Sequence, residues 1–256
     1  MKKALKNTIA ALVLAAPLMA NAAGGGHYEH VKLDPRDQVS LQRGAQIFVN
    51  NCLSCHSAAA MRYNRLKDIG LTEEEIAKNL MFTTDKIGDV MQAHMSPADG
   101  KKWFGNTPPD LTLIARSRGA DYIYAYLRGF YKDPKTPTGW NNTVLPNAAM
   151  PHVLWEQEGV KAAKLDKDGN IVLKADGTPD WNWESTGKLS RQTKEGVVIT
   201  KEYDDYAKDL TNFMAYMAEP AQVQRKQIGY IVLMFLLAIM LPLAYFLKKE
   251  YWKDVH

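Results

Sequence analysis

Residues 49–66 read VNNCLSCHSAAAMRYNRL and hold both cysteines of the 256-residue chain. Cys52 and Cys55 stand three apart, and His56 follows the second directly. A zinc site needs four ligands, but no second close Cys or Cys/His pair exists, because His27, His30, His94, His152 and His256 are scattered. A thioredoxin-like dithiol follows a strand in a βαβ unit, whereas the residues before Cys52 read as helix. Cys-x-x-Cys-His is instead the attachment signature of a c-type haem, with an oxidised structural CxxC as the remaining alternative. On one helical turn both thiols project to the same side, each in reach of one haem vinyl group. His56 is then placed as the proximal iron ligand.

A haem that carries electrons usually takes a second protein ligand, and a methionine thioether raises its potential. Met61 and Met81 fall close after the haem turn in apparent helical context, and Met214, Met217, Met234 and Met240 sit on apolar helix faces. Met91, Met95 and Met150 remain as contenders, with His152 as a rival. Met150 lies in LPNAAMPHVLW between Pro146 and Pro151, and the following proline biases it toward extended backbone. Such a loop loses little entropy when it presents a side chain.

Residues 36–51 place Leu41, Ala45, Phe48 and Cys52 on one helical stripe, so this helix delivers the cysteines. Thr72 and Glu75 form a capping box for a second helix, with Ile76 and Leu80 facing inward. Residues 121–130 predict a third, stopped by Asp133-Pro134. Tyr206, Leu210, Phe213, Met214 and Met217 mark a fourth, halted by Pro220. Between them, 161–201 reads as a hairpin-like surface insertion, with DKDGN and ADGTPD as turns around the β-prone run Ile171-Val172-Leu173. DKDGN is not a calcium loop, since its glycine is misplaced and no bidentate glutamate follows.

Two apolar segments bound the chain. Residues 1–22 carry Lys2, Lys3 and Lys6, an apolar run, and the pattern Ala20-Asn21-Ala22, the layout of a cleaved secretory signal. Residues 228–247 contain no charge and are long enough for one bilayer crossing, with Pro242 expected to kink the helix without breaking it. The expected organisation is therefore a signal at 1–22, a periplasmic domain at 23–224, an anchor at 225–247 and a cytoplasmic tail at 248–256. The formal charge of +4 falls to +1 without the three signal lysines, and the tail accounts for that remainder. A near-neutral exported domain gives no reason to expect a nucleic-acid partner.

The chain resembles the cytochrome c1 family in RGAQIFVNNCLSCHS (43–57), PPDLTLIARSRG (108–119), DYIYAYLRGFY (121–131), AAMPHVLW (148–155) and AEPAQVQRKQIGYIVLMFLLAIMLPLAYFLKKEYW (218–252). That resemblance implies a mainly α, class I cytochrome c-type haem domain with one C-terminal transmembrane helix. It implies one covalent haem c on Cys52 and Cys55, with His56 and Met150 as iron ligands. Pro108 and Pro109 would pack on the haem. Arg118, with Tyr122 and with Arg116 as a further candidate, would pair with a propionate. The implied role is to carry single electrons from a Rieske iron–sulfur protein to a soluble c-type cytochrome. The chain would do so beside cytochrome b, in a dimeric ubiquinol–cytochrome c oxidoreductase of the inner membrane, without catalytic residues of its own. The long acidic stretch and extra cysteines of some mitochondrial members are missing, which leaves the acceptor open. The alternatives are a tethered donor to a terminal oxidase or nitrogen-oxide reductase, which would not need PPDL…ARSRG, and a haem enzyme with an open distal position.

Overall fold

The computed structural model describes residues 28–253 apart from 176. The expected signal at 1–22 and the last three residues of the tail lie outside the described residues.

The domain is built on a crossing between its first and last helices. Helix α1 (Gln38–Asn51) starts at Asp37, whose side chain accepts from the Ser40 N–H, and buries Leu41, Ala45 and Phe48 as its spacing predicts. Opposite it lies α7 (Lys201–Ala218), whose Tyr203, Leu210, Phe213, Met214 and Met217 are buried. The two approach so closely at Gly44 that a Cβ there would stand 2.2 Å from the Asp209 carbonyl oxygen. Beside that contact Ser40 Oγ donates to Asp209 Oδ1 at 2.7 Å, and Arg43 grips the same carboxylate from the rim at 2.5 and 3.0 Å. Asn212 Nδ2 closes the network on Ser40 Oγ (3.0 Å) and the Asp34 carbonyl (2.9 Å).

After the haem turn, β1 (Ala58–Arg62) pairs antiparallel with β2 (Val90–Met91), so Met61 is a buried strand residue rather than a helical one. A 3-10 turn (Tyr63–Ile69) and α2 (Glu73–Asn79) follow, the latter with both hydrogen bonds of the Thr72–Glu75 capping box. Ile76 and Leu80 point inward as expected. Three short helices come next: α3 (Pro97–Phe104), α4 (Ile114–Ser117) and α5 (Ala120–Arg128). Helix α5 ends before Asp133-Pro134, correcting the expected boundary. Gly129 is its last cap, and Phe130 already belongs to β3 (Phe130–Lys132). A Cβ at Gly129 would meet Thr143 Oγ1 at 2.6 Å, and the Gly129 carbonyl accepts from the Thr143 N–H at 3.0 Å, so this turn packs closely on residue 143.

Strand β3 joins β4 (Trp140–Asn142), β5 (Gly159–Ala163) and β6 (Trp181–Thr186) in a sheet of order β4-β3-β5-β6, in which only β3 and β5 are parallel. The short helix α6 (Trp155–Glu158) leads into β5. The segment read as a surface hairpin is thus wider and more deeply rooted. Its main strands are β5 and β6, while Ile171 and Leu173 form only isolated bridges. The pair β7 (Arg191–Gln192) and β8 (Val198–Ile199) returns the chain to α7.

Only Glu219, Pro220 and Ala221 separate α7 from α8 (Gln222–Phe235), and Arg225 forms an ion pair back to Glu219. Helix α8 runs through a π segment (Leu236–Met240) into α9 (Leu241–Tyr251), a span of 30 residues with an exposed apolar surface. The widened turn lies just before Pro242, which has no N–H and would crowd the carbonyl four residues back. The proline is accommodated by that irregularity and the helix continues.

Gly44→Ala is expected to cost about 1–3 kcal/mol, because backbone cannot yield to the new methyl. Gly88→Ala, which meets nothing within 4 Å, should stay within about 0.5 kcal/mol of the parent in urea titrations. Alkaline stability provides a second check. Burial pushes the Tyr124 and Tyr126 hydroxyls from 10.0 up to about 12. The folded chain then keeps protons that the unfolded chain has released. Stability from this source is complete below pH 10 and lost as pH rises through about 12, so the urea midpoint should fall across that window.

Candidate haem site

The CxxCH stretch is a closed turn on the end of α1. Cys52 caps the helix, its N–H donating to the Phe48 carbonyl at 2.8 Å. The Cys55 and His56 N–H groups then both return to the Cys52 carbonyl, at 3.1 and 2.8 Å. Cys52 is buried, Cys55 is partly exposed, and neither is in a disulfide. Burial, aided by the neighbouring Cys55, pushes the Cys52 thiol up to about 12. A dithiol oxidoreductase needs the opposite shift, toward thiolate.

His56 is almost wholly buried, and its Nδ1 lies 2.7 Å from the Pro109 carbonyl oxygen. A carbonyl only accepts, so Nδ1 carries the proton and Nε2 keeps its lone pair. Desolvation also lowers the imidazole pKa against the opposing pull of that hydrogen bond and of Asp110, which favours the neutral ring. A neutral imidazole with one nitrogen tied to backbone is the form that ligates a metal. With two free thiols on the same turn, the donor set fits a covalently held haem.

The Pro109 carbonyl is placed by its own loop. Asp110 accepts from the Ala59 N–H (2.7 Å) and the Thr112 N–H (2.8 Å), and the Leu111 N–H donates to the Ser57 carbonyl (2.8 Å). Pro108 is half-buried beside Gly100, where a Cβ would lie 2.5 Å from its ring. The 108–112 stretch is therefore laced to the residues that follow His56, a tie that the sequence reading did not anticipate.

Of the other candidate ligands, Met91 is fully buried in the hydrophobic core. Met95 is half-buried, its N–H bonded to the Ser54 carbonyl at 3.3 Å. Met150 is half-buried in the loop after β4. Two asparagines that sequence reading missed shape that loop. Asn141 Oδ1 accepts from the Asn147 N–H at 2.7 Å, and Asn142 Oδ1 accepts from the Val144 N–H at 2.8 Å. Two adjacent asparagines before a proline-bounded connection are the sequence signal that could have found them. His152 is committed elsewhere, with its Nε2 2.8 Å from the buried Glu158 carboxylate.

Arg118 lies 5.5 Å from the Tyr122 ring centroid. Arg116, Arg118 and Tyr122 line one cavity of about 730 Å³ together with Tyr28 and His30, and among the described residues no carboxylate lies within ion-pair distance of either arginine. Two groups of predicted site residues are brought together, and Met150 lies apart from both in its own loop. His56 and Pro109 are in direct contact around the cysteine turn, and the arginines and Tyr122 share a separate wall.

Together the turn, its histidine and the one helix among the described residues that is long and apolar enough to cross a membrane define a membrane-anchored c-type cytochrome. The sequence matches the Cytochrome C1 family over residues 29–180 and 192–255. It is 45% identical to cytochrome c1 of Allochromatium vinosum, over 98% of this chain and 99% of that one. It is 43% identical to a protein of Nitrosomonas europaea named ammonia monooxygenase gamma subunit, over 95% and 96% of the two chains. Cytochrome b/c1 of Bradyrhizobium diazoefficiens is 27% identical over 86% of this chain and 34% of its own length. The chain belongs to the cytochrome c1 family and is a mono-haem electron-transfer subunit of the bc1 complex, the complex that also contains cytochrome b. The family match runs through 161–180, further than the quoted motifs, and omits only 181–191 within the insertion.

Asp110→Ala should release the loop that presents the Pro109 carbonyl. It is expected to cost about 1 kcal/mol in a urea titration, the discount reflecting the exposure of Asp110.

Proposed function

We propose that this chain takes single electrons from a Rieske iron–sulfur protein and passes them to a soluble c-type cytochrome. The reading places its haem domain in the periplasm after removal of residues 1–22. Residues 225–247 would cross the inner membrane beside cytochrome b in a dimeric complex, with 248–256 in the cytoplasm. The observation that carries it is the His56–Pro109 hydrogen bond next to two free thiols, which leaves Nε2 as an uncommitted donor.

Cys52 and Cys55 would hold the haem covalently, and His56 and Met150 would supply ligands to its iron. When bound, the haem supplies one iron that alternates between ferric and ferrous states. The residues around it set how easily that happens. A thioether from Met150 favours the reduced state and a high potential. Pro108 and Pro109 would pack on the haem on the side of His56. Arg118, with Tyr122 and Arg116, would offset the charge of a propionate, a role supported by the two guanidinium groups lining one cavity without a carboxylate, among the described residues, at ion-pair distance. No side chain is needed as nucleophile or base, because the chain itself only relays electrons. Its short connection to the membrane helix restrains the domain, so its partners must come to it.

The test is to purify the chain from mildly solubilised membranes and assay quinol-dependent reduction of a soluble cytochrome c. Cytochrome b and a Rieske protein co-purifying with that activity would support the assignment. Oxidase or nitrogen-oxide reductase subunits, or ammonia-dependent electron flow as the Nitrosomonas relative's name suggests, would overturn it. Met150→Ala should replace the low-spin spectrum with a high-spin one. It should also lower the midpoint potential by a few tenths of a volt, within the ~0.8 V range that axial ligands span, as read by optical redox titration.

A further inference from the structure

His152, Glu158 and Lys161 form a charged cluster buried inside the sheet region, with exposures of 2%, 2% and 3%. Lys161 Nζ donates to Glu158 Oε1 and to the Arg128 carbonyl (2.7 Å), one of the free carbonyls at the end of α5. The other carboxylate oxygen faces His152 Nε2 at 2.8 Å, though neither of those two atoms has an aligned hydrogen bond. The imidazole itself is clamped. Phe130 stacks on it at 5.0 Å with a 9° interplanar angle, and Trp140 meets it edge-on at 5.1 Å.

Burying three ionisable side chains is costly, and apolar residues of similar size are often at least as stable. Such a cluster is better explained by geometry that it enforces. His152 is two residues from Met150, with the stiff Pro151 between them. Aromatic packing alone would hold the ring in its slot, and the Glu158 carboxylate, itself held by Lys161, lies 2.8 Å from the ring's Nε2 edge. Asn141 holds the other end of the same loop.

We propose that the His152–Glu158–Lys161 cluster is a positioning device for Met150, keeping the thioether at the iron against competing ligands. The inference rests on Met150 being the distal ligand. A thioether is a weak ligand for ferric iron, so its retention depends on how seldom the loop swings away. Each increase in the open fraction appears directly as tighter binding of an external ligand.

The experiment is an imidazole titration of the oxidised, detergent-solubilised holoprotein, following loss of the visible band due to the thioether–ferric bond. Glu158→Gln and Lys161→Met are expected to raise apparent imidazole affinity by at least about tenfold while the ferrous spectrum is unchanged. Lys161→Arg keeps the cation and should give an intermediate rise, so the test stands if Glu158→Gln fails to accumulate. Tyr216→Phe removes a buried hydroxyl bonded to the Arg65 carbonyl (2.8 Å), far along the chain from this loop. It should lower urea stability without changing imidazole affinity. Variants of Glu158 and Lys161 that bind imidazole as the parent does would overturn the inference while leaving the ligand assignment intact, and so would an equal rise in Tyr216→Phe. A parent lacking the thioether band would overturn the ligand assignment and this inference with it.

Discussion

The close passage of α1 over α7 at Gly44 is the constraint on which the rest of the domain depends. With no side chain there, Asp209 can bring its backbone into contact and its carboxylate onto Ser40 and Arg43. That contact sets the height and rotation of α1. The rotation in turn decides where the end of the helix delivers Cys52, since the cysteine caps the helix and the following turn closes on its carbonyl. A shift of one residue at the crossing would rotate the cysteines by about 100° around the helix axis.

His56 depends on a different kind of support. Its ring is oriented by a backbone carbonyl in a loop some fifty residues later, and that loop is in turn tied to the strand just beyond the histidine. Using a backbone acceptor has a physical advantage. A carboxylate in that position would draw the imidazole toward the charged form, whereas a carbonyl fixes the tautomer and leaves the buried ring neutral.

Much of this was legible in the sequence because it was local. The stripe Leu41, Ala45, Phe48, Cys52, the capping box at Thr72 and the uninterrupted apolar block at 228–247 are patterns of one element each, and each reappears in the structure. The failures involved partners distant in sequence. Met61 looked helical until β2 arrived from residues 90–91 to pair with its strand, and α5 ends two residues before the expected Phe130, which pairs with Asn142 in the sheet. The parallel pairing of β3 with β5 could not be read from either strand, nor could the burial of Glu158 and Lys161, which the sequence presents as ordinary charged residues near a turn. Polar residues whose role is to satisfy one another inside the fold leave no periodic trace.

The three-residue connection between α7 and α8, reinforced by Glu219 and Arg225, has a consequence beyond holding the domain near the bilayer. A flexible tether lets a domain sample many orientations, and its encounters are governed by an effective concentration averaged over that search. A stiff one removes the average. On the proposed reading, the domain would behave as a fixed post with one aspect toward the membrane plane and another toward the aqueous space. Throughput then becomes a property of its visitors, and lengthening this connection would turn a stationary relay into one more diffusing carrier.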